Sequence, residues 1–200
     1  MANFQLSVRE ALLEDASGIS EVHVETWRAS YAGLLPENLL IQMDSNGQRK
    51  SWEGLLKHPE PGMRVLIAEA RNFTSNDSKI IGFGSCGPVR GDDFQDRGEI
   101  YTLYVLPDWQ SQGVGQHLLR TLLGCLTGDG FSHAKLWVLG DNPSRFFYEH
   151  VGGTLIDERS RALGGKRMRE VAYIWPLRQD TPHLTSLPYG QANSNDGEDV

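Results

Sequence analysis

The 200-residue chain holds only two cysteines, Cys86 and Cys125. They are too few and too far apart for a zinc cluster or a disulfide scaffold, so both are expected as buried thiols of a reducing compartment. No stretch approaches the ~20 consecutive apolar residues of a membrane span, which excludes a membrane partner. Residues 1–13 carry charges where a secretory leader needs an unbroken apolar segment, so a cytoplasmic location is the expectation. Positive charge is also scarce. The 19 Lys and Arg against 26 Asp and Glu leave a net charge of −7. That excludes a nucleic-acid partner, which needs clustered cations, and leaves room for a weak preference for cationic substrates. His23, His58, His117, His133, His150 and His183 include no pair at metal-ligand spacing, so no metal is expected. No internal repeat is visible.

Apolar residues make up 39% of the chain and charged residues 22%, which suits one domain with an ordinary core. Residues 1–178 are expected to form it. Residues 179–200 carry mainly Ser, Asn, Gly, Asp and Pro, the composition of a disordered tail. Phe4–Arg9 alternates like a strand, and Asp15 is placed to cap a helix along which Ile19, Val22, His23, Thr26 and Trp27 share a side. Gly33 and Pro36 break that helix. Leu39, Leu40 and Met43, then Trp52, Leu55 and Leu56, suggest two further short helices. Met63–Glu69 and Lys79–Gly87 read as strands joined by a polar turn, and a second hairpin signal flanks Gly164-Gly165 near the C-terminus.

The segment Gln110-Ser-Gln-Gly113-Val-Gly115-Gln-His follows the apolar run Glu99–Val105. It precedes Val114, Leu118, Leu119, Leu122, Leu123 and Leu126 at helical spacing, so it reads as strand, glycine turn, helix. The first amides of a helix lack intrahelical acceptors and the dipole is positive there, so such a turn can hold a phosphate once no Cβ blocks the approach. A dinucleotide fingerprint would need glycine where Leu118 stands, with an acidic ribose partner further on. A Walker A loop fails as well, since Gly165-Lys166 is followed by Arg167 and a strand-like run. Gly82-Phe-Gly-Ser-Cys-Gly87 likewise falls short of a hydrolase nucleophile elbow.

What remains, Gln-x-x-Gly-x-Gly after a strand, resembles the pyrophosphate turn of the GNAT superfamily of N-acetyltransferases. The resemblance extends to Asp141-Asn142-Pro-Ser-Arg-Phe-Phe-Tyr148-Glu149, which is similar to the family's second cofactor segment. It also covers Trp27-Arg-Ala-Ser-Tyr31-Ala-Gly-Leu-Leu-Pro36, a pattern of its small-molecule members. The element order from Phe4 to Trp175 agrees. The resemblance implies an α/β fold with a mixed, mostly antiparallel sheet flanked by helices, acetyl-CoA as cofactor, and direct acetyl transfer to the primary amine of a small molecule. Dimerisation through the C-terminal strands is possible by the same analogy.

By that resemblance, backbone amides of Gln112, Gly113, Val114, Gly115 and Gln116 hold the pyrophosphate, with Gln110 at the turn's entry. The strand end Tyr104, Val105 and Leu106 pairs with the pantetheine arm, and the Val105 amide points at the thioester oxygen. Glu99 matches a general base, and a carboxylate leading a central strand into a cleft is expected to be part-buried with a raised pKa. Its alternative is a solvated strand-end group. Tyr148 matches the acid that protonates the leaving thiolate, or else it is a core aromatic with its hydroxyl tied to backbone. Asn142 serves the pantetheine amide, the helix cap, or both. Arg145 either reaches a phosphate or is surface charge. Trp27 and Tyr31, four residues apart on one helical face, wall the acceptor site or pack on the sheet. Asp92, Asp93 and Asp96 read as a solvated loop. Two other functions share the fold or the turn: a protein or peptide acetyltransferase, and a non-catalytic acyl-CoA sensor.

Overall fold

The apolar and β-branched runs become seven strands of a single sheet in the computed structural model, which describes residues 4–34, 43–75, 77–91, 96–163 and 165–177. The elements run β1 Phe4–Glu10, α1 Ala16–Tyr31, α2 Ser45–Lys57, β2 Arg64–Asn72, β3 Ser78–Pro88, β4 Arg97–Val105, α3 Val114–Gly128, β5 His133–Leu139, α4 Arg145–His150, β6 Thr154–Leu163 and β7 Lys166–Pro176. The strand order is β1-β2-β3-β4-β5-β7-β6. Every pairing is antiparallel except β4 with β5, where α3 makes the crossover that a parallel pair requires. This is the mixed, mostly antiparallel sheet expected from the sequence. The sequence-predicted tail, the short helix around Leu39 and Leu40, and Asp92 and Asp93 lie outside the described residues.

The helices cover both faces. On one, Leu118, Leu119, Leu122 and Leu126 of α3 are essentially inaccessible and pack with Ile100, Leu136 and Tyr173. Each such leucine contributes about 2 kcal/mol of burial. On the other, Ile19 and Val22 of α1 and Trp52 of α2 pack with Val65, Ile67, Phe83 and Leu106. Asp44 caps α2, accepting from the Gly47 amide at 2.8 Å. Asp15, in contrast, does not cap α1. Its carboxylate turns back to accept from the Leu12 amide at 2.7 Å and from Arg9 at 2.6 and 2.9 Å, because a 3-10 turn, Leu13–Asp15, intervenes before the helix. Cys86 is buried and Cys125 half-buried, and burial raises both thiol pKa values. Among the described residues no helix is long and apolar enough to cross a membrane.

Candidate active site

The site begins where the sheet comes apart. β4 and β5 pair from Arg97↔His133 to Ile100↔Leu136 and no further, although the strands continue to Val105 and Leu139. At that point β4 also slips against β3: Ser85 faces Thr102 but Cys86 faces Ile100, so Tyr101 is an extra residue. Such a bulge bends its strand, and here the bend carries β4 away from β5. The gap is part of a cavity of about 830 Å³ reaching both faces of the sheet. A Cβ at Gly82 would lie 2.9 Å from the Tyr104 carbonyl, and one at Gly84 3.0 Å from that of Thr102. Those residues therefore direct their backbone groups to β3, and strand alternation directs the groups of Leu103 and Val105 into the gap.

At the end of β4, Leu106 packs into the α1-side core and a 3-10 turn, Pro107–Trp109, leads into the glycine turn. Gln110 Nε2 donates to the Val105 carbonyl at 2.9 Å and Gln112 Nε2 to that of Asp108 at 2.7 Å, so both glutamines brace the turn. Ser111 has φ +59°, the one positive value for a non-glycine residue among those described, and Gly113 caps α3 at φ +82°. Gly113 is thus required by its own backbone conformation. Gly115 is not: a Cβ there would meet Phe147 at 3.5 Å and Val105 at 3.7 Å, ordinary contacts. What its missing side chain leaves open is the cleft. Gly113 gives α3 no side-chain cap, and both Gly113 and Gly115 line the cleft, which suits the approach of a phosphate to the helix N-terminus. Gln116 lines the cleft, whereas Val114 is buried in the α3 core.

After β5, Asn142 Oδ1 accepts from the Ser144 amide at 2.9 Å and its carbonyl from the Arg145 amide at 3.0 Å. The oxygen thus closes a turn just ahead of α4, whose N-cap residue is Ser144, rather than capping the helix itself, and the Asn142 side chain also lies in range of the Tyr31 hydroxyl. α4 cannot bury three successive aromatics, and it is Phe146 that turns out, 58% exposed, while Tyr148 is 7% exposed and lines the cleft. The Tyr148 ring packs against Tyr173 and Trp175 at 5.9 and 6.2 Å. Among the described residues no hydrogen bond ties its hydroxyl to backbone. Burial, with the nearby Tyr31 second, raises its pKa, so the proton is held at neutral pH. Arg145 stacks on Phe146 at 4.6 Å and is not part of the cleft wall.

The opposite wall comes from α1 and β4. Trp27 Nε1 donates to the Tyr104 hydroxyl at 3.1 Å, and the Trp27 and Tyr31 rings meet edge-on at 5.1 Å. The Tyr31 hydroxyl lies in range of Tyr104 and Asn142, and burial raises the pKa of both phenols. Glu99 is 5% exposed. Arg90 holds it with its amide at 2.9 Å and its Nη2 at 2.7 Å, and stacks over Tyr101 at 4.1 Å. Asp96 accepts from Ser132 at 2.7 Å, away from the cleft.

The sequence profile of the acetyltransferase (GNAT) family matches residues 26–153. The chain belongs to this family. It is similar to the uncharacterized N-acetyltransferase YuaI of Bacillus subtilis, 33% identical over 173 residues that span 86% of this chain and 93% of that protein. It is also similar to a spermidine N(1)-acetyltransferase of Thermoplasma acidophilum, 21% identical over 159 residues, 76% of this chain and 90% of that one. The fold matches that of an acetyltransferase from Salmonella typhimurium solved with its cofactor acetyl-CoA. The TM-score is 0.65 at 18% identity, covering 90% of this chain and 98% of that one.

In this GNAT protein the cleft gathers Trp27, Tyr31, Glu99, Tyr104, Val105, Gln110, Gly113, Gly115, Gln116, Asn142 and Tyr148, while Leu106, Gln112, Val114 and Arg145 lie off its wall. Sequence reasoning missed Arg90, Trp137, Arg159, Arg161 and Glu170, which also line it. Only the alternation Arg159, Arg161, Leu163 hinted that those three share one side of a strand.

Proposed function

We propose that the protein transfers the acetyl group of acetyl-CoA to the primary amine of a small molecule held on the α1 side of the cleft. The observation that carries this reading is the parting of β4 from β5, which joins a glycine turn on one face to a wall of aromatic and charged side chains on the other. When bound, acetyl-CoA supplies an acetyl group already activated as a thioester. The amides of Gln112, Gly113, Val114, Gly115 and Gln116 hold its pyrophosphate, in a turn braced by Gln110. Of the strand end, Leu103 and Val105 present backbone to the pantetheine arm, while the backbone of Tyr104 faces β3 and the Leu106 amide donates to the Ile81 carbonyl. The Val105 amide is directed at the carbonyl oxygen, and the Asn142 NH₂ donates to a pantetheine amide.

Tyr148 holds a proton at the junction of the two halves and gives it to the departing sulfur. Trp27 and Tyr31 wall the acceptor. An alkyl ammonium, with a pKa near ~10, must lose its proton before attack. Glu99 receives that proton across a water, because Arg90 already occupies its carboxylate. A cavity of about 830 Å³ suits a pantetheine arm and a small acceptor better than a protein surface.

The test is calorimetric titration with acetyl-CoA followed by a thiol-release screen against small amines, amino acids and peptides. Turnover of a small amine is expected. Turnover confined to peptides would reassign the acceptor, and binding without any turnover would favour an acyl-CoA sensor.

A further inference from the structure

We propose that the acceptor carries a carboxylate as well as its amine, and that Arg159 and Arg161 bind it. The inference rests on the acetyltransferase reading of the same cleft and specifies the acceptor's chemical class. Arg159 and Arg161 occupy alternate positions of β6, so they leave the strand on one side, and both line the cleft. They pair in register with Glu170 and Met168 of β7. Met168 packs with Leu139, Trp27 and Tyr31, which puts the arginines on the α1 face, across the sheet from α3 and the glycine turn.

Arg159 is built as a fixed fork. Its Nε donates to Glu170 Oε2 at 2.7 Å and its guanidinium carbon lies 3.9 Å over the Trp137 ring. The plane is therefore set while its terminal nitrogens stay available, the arrangement that receives a carboxylate bidentately. Arg161 stands 3.7 Å from the other Glu170 oxygen, beyond hydrogen-bond length, so one carboxylate serves two guanidinium groups. The Glu170 side chain is 11% exposed, against 43% and 61% for its two arginines. The other side of the same hairpin shows an ordinary surface pair, Arg169 with Glu158, one to one and about half exposed on both sides. Counting Arg90 with Glu99, the acceptor wall sets three guanidinium groups against two carboxylates, a local positive surplus in a chain of net charge −7. A polycationic acceptor is disfavoured there, and an amino acid is matched.

The experiment compares kcat/KM, with acetyl-CoA saturating, for a set of α- and ω-amino acids. Each is set against the amine that lacks the carboxylate, such as β-alanine against ethylamine, with spermidine as the polycation. An acid is expected to exceed its matched amine by about tenfold or more, and Arg161→Gln to raise the KM for that acid by about tenfold. Arg161→Lys should recover part of the loss, and the calorimetric Kd for acetyl-CoA should stay within about twofold in both variants. Turnover of none of the acids, a preference for spermidine, or an acid preference unmoved in Arg161→Gln would overturn the proposal. So would weakened acetyl-CoA binding in Arg161→Gln, which would reassign the arginine to the cofactor. If the native protein failed to bind acetyl-CoA at all, the acetyltransferase reading itself would fall, an outcome distinct from binding without acid preference.

Discussion

On the α3 face the cleft is walled by main chain: the left-handed Gly113, the uncapped first turn of α3, and the outward backbone of Leu103 and Val105. On the α1 face it is walled by side chains from five elements and a loop, among them Tyr31, Arg90, Glu99, Trp137, Arg159 and Glu170. Backbone amides at a helix end recognise a phosphate whatever the neighbouring side chains are, whereas a wall of side chains changes chemistry with each substitution. On the proposed reading, the difference teaches how one scaffold can keep a cofactor half constant while its acceptor half is retuned, with Tyr148 at the seam.

The comparison breaks first at Gly115. A Cβ there makes only ordinary contacts, and the branches of valine would crowd the cleft, so acetyl-CoA affinity should fall by more than about a hundredfold in calorimetry, with circular dichroism checking that the fold is retained. Unchanged affinity would reduce the turn to a simple strand-to-helix connection.

The side-chain half should also be the acid-sensitive one. His23 stacks on Tyr104 at 5.2 Å and accepts from Trp52 Nε1 at 3.3 Å, a bond that needs a neutral ring. Burial pushes its pKa down from 6.5 to about 4. The unfolded chain therefore takes up this proton first, so the stability is present in full above pH 6.5 and lost as pH falls toward 4. The loss should be on the order of 3 kcal/mol in urea unfolding across that window, and His23→Leu should remove that part of the slope. A slope that persists in the variant would acquit His23.

Smaller effects sharpen the picture. Glu99→Gln should lower kcat/KM about tenfold rather than abolish it, since a water relay to solvent remains and Arg90 already engages the carboxylate. A full-speed variant would make Glu99 only Arg90's partner. Gly113→Ala should cost about 1–2 kcal/mol of stability by chemical denaturation, because φ is +82° there. No loss would mean that the turn relaxes freely.

The contrast also explains what was legible in the sequence. A phosphate turn is written in consecutive residues, and Gln110 to Gln116 stood out because strand, glycine and helix signals adjoin. The leucine periodicity of α3 and the two hairpins were equally local, so most strands and helices, though not the strand order, could be drawn in advance. Asp15 misled because a cap residue and a 3-10 turn residue look alike until the chain's course is known. The acceptor wall was hidden for a different reason. Arg90 meets Glu99 across a β3–β4 connection, and Arg159 meets Trp137 through a strand order in which β7 lies between β5 and β6. Long-range register of that kind leaves no local pattern. The net charge of −7 left room for a weak preference for cationic substrates, but a total charge does not say where charge is placed, and the cleft wall gathers three arginines.

The measurement that bears most directly on the two-halves account is kcat alongside the acetyl-CoA Kd for Tyr148→Phe. The hydroxyl is the one atom lost, at the seam and outside the phosphate turn. We expect kcat to fall by about a hundredfold with Kd unchanged within about twofold. A variant as fast as the native protein would return Tyr148 to the core, and a variant that loses acetyl-CoA affinity instead would place its hydroxyl in the cofactor half.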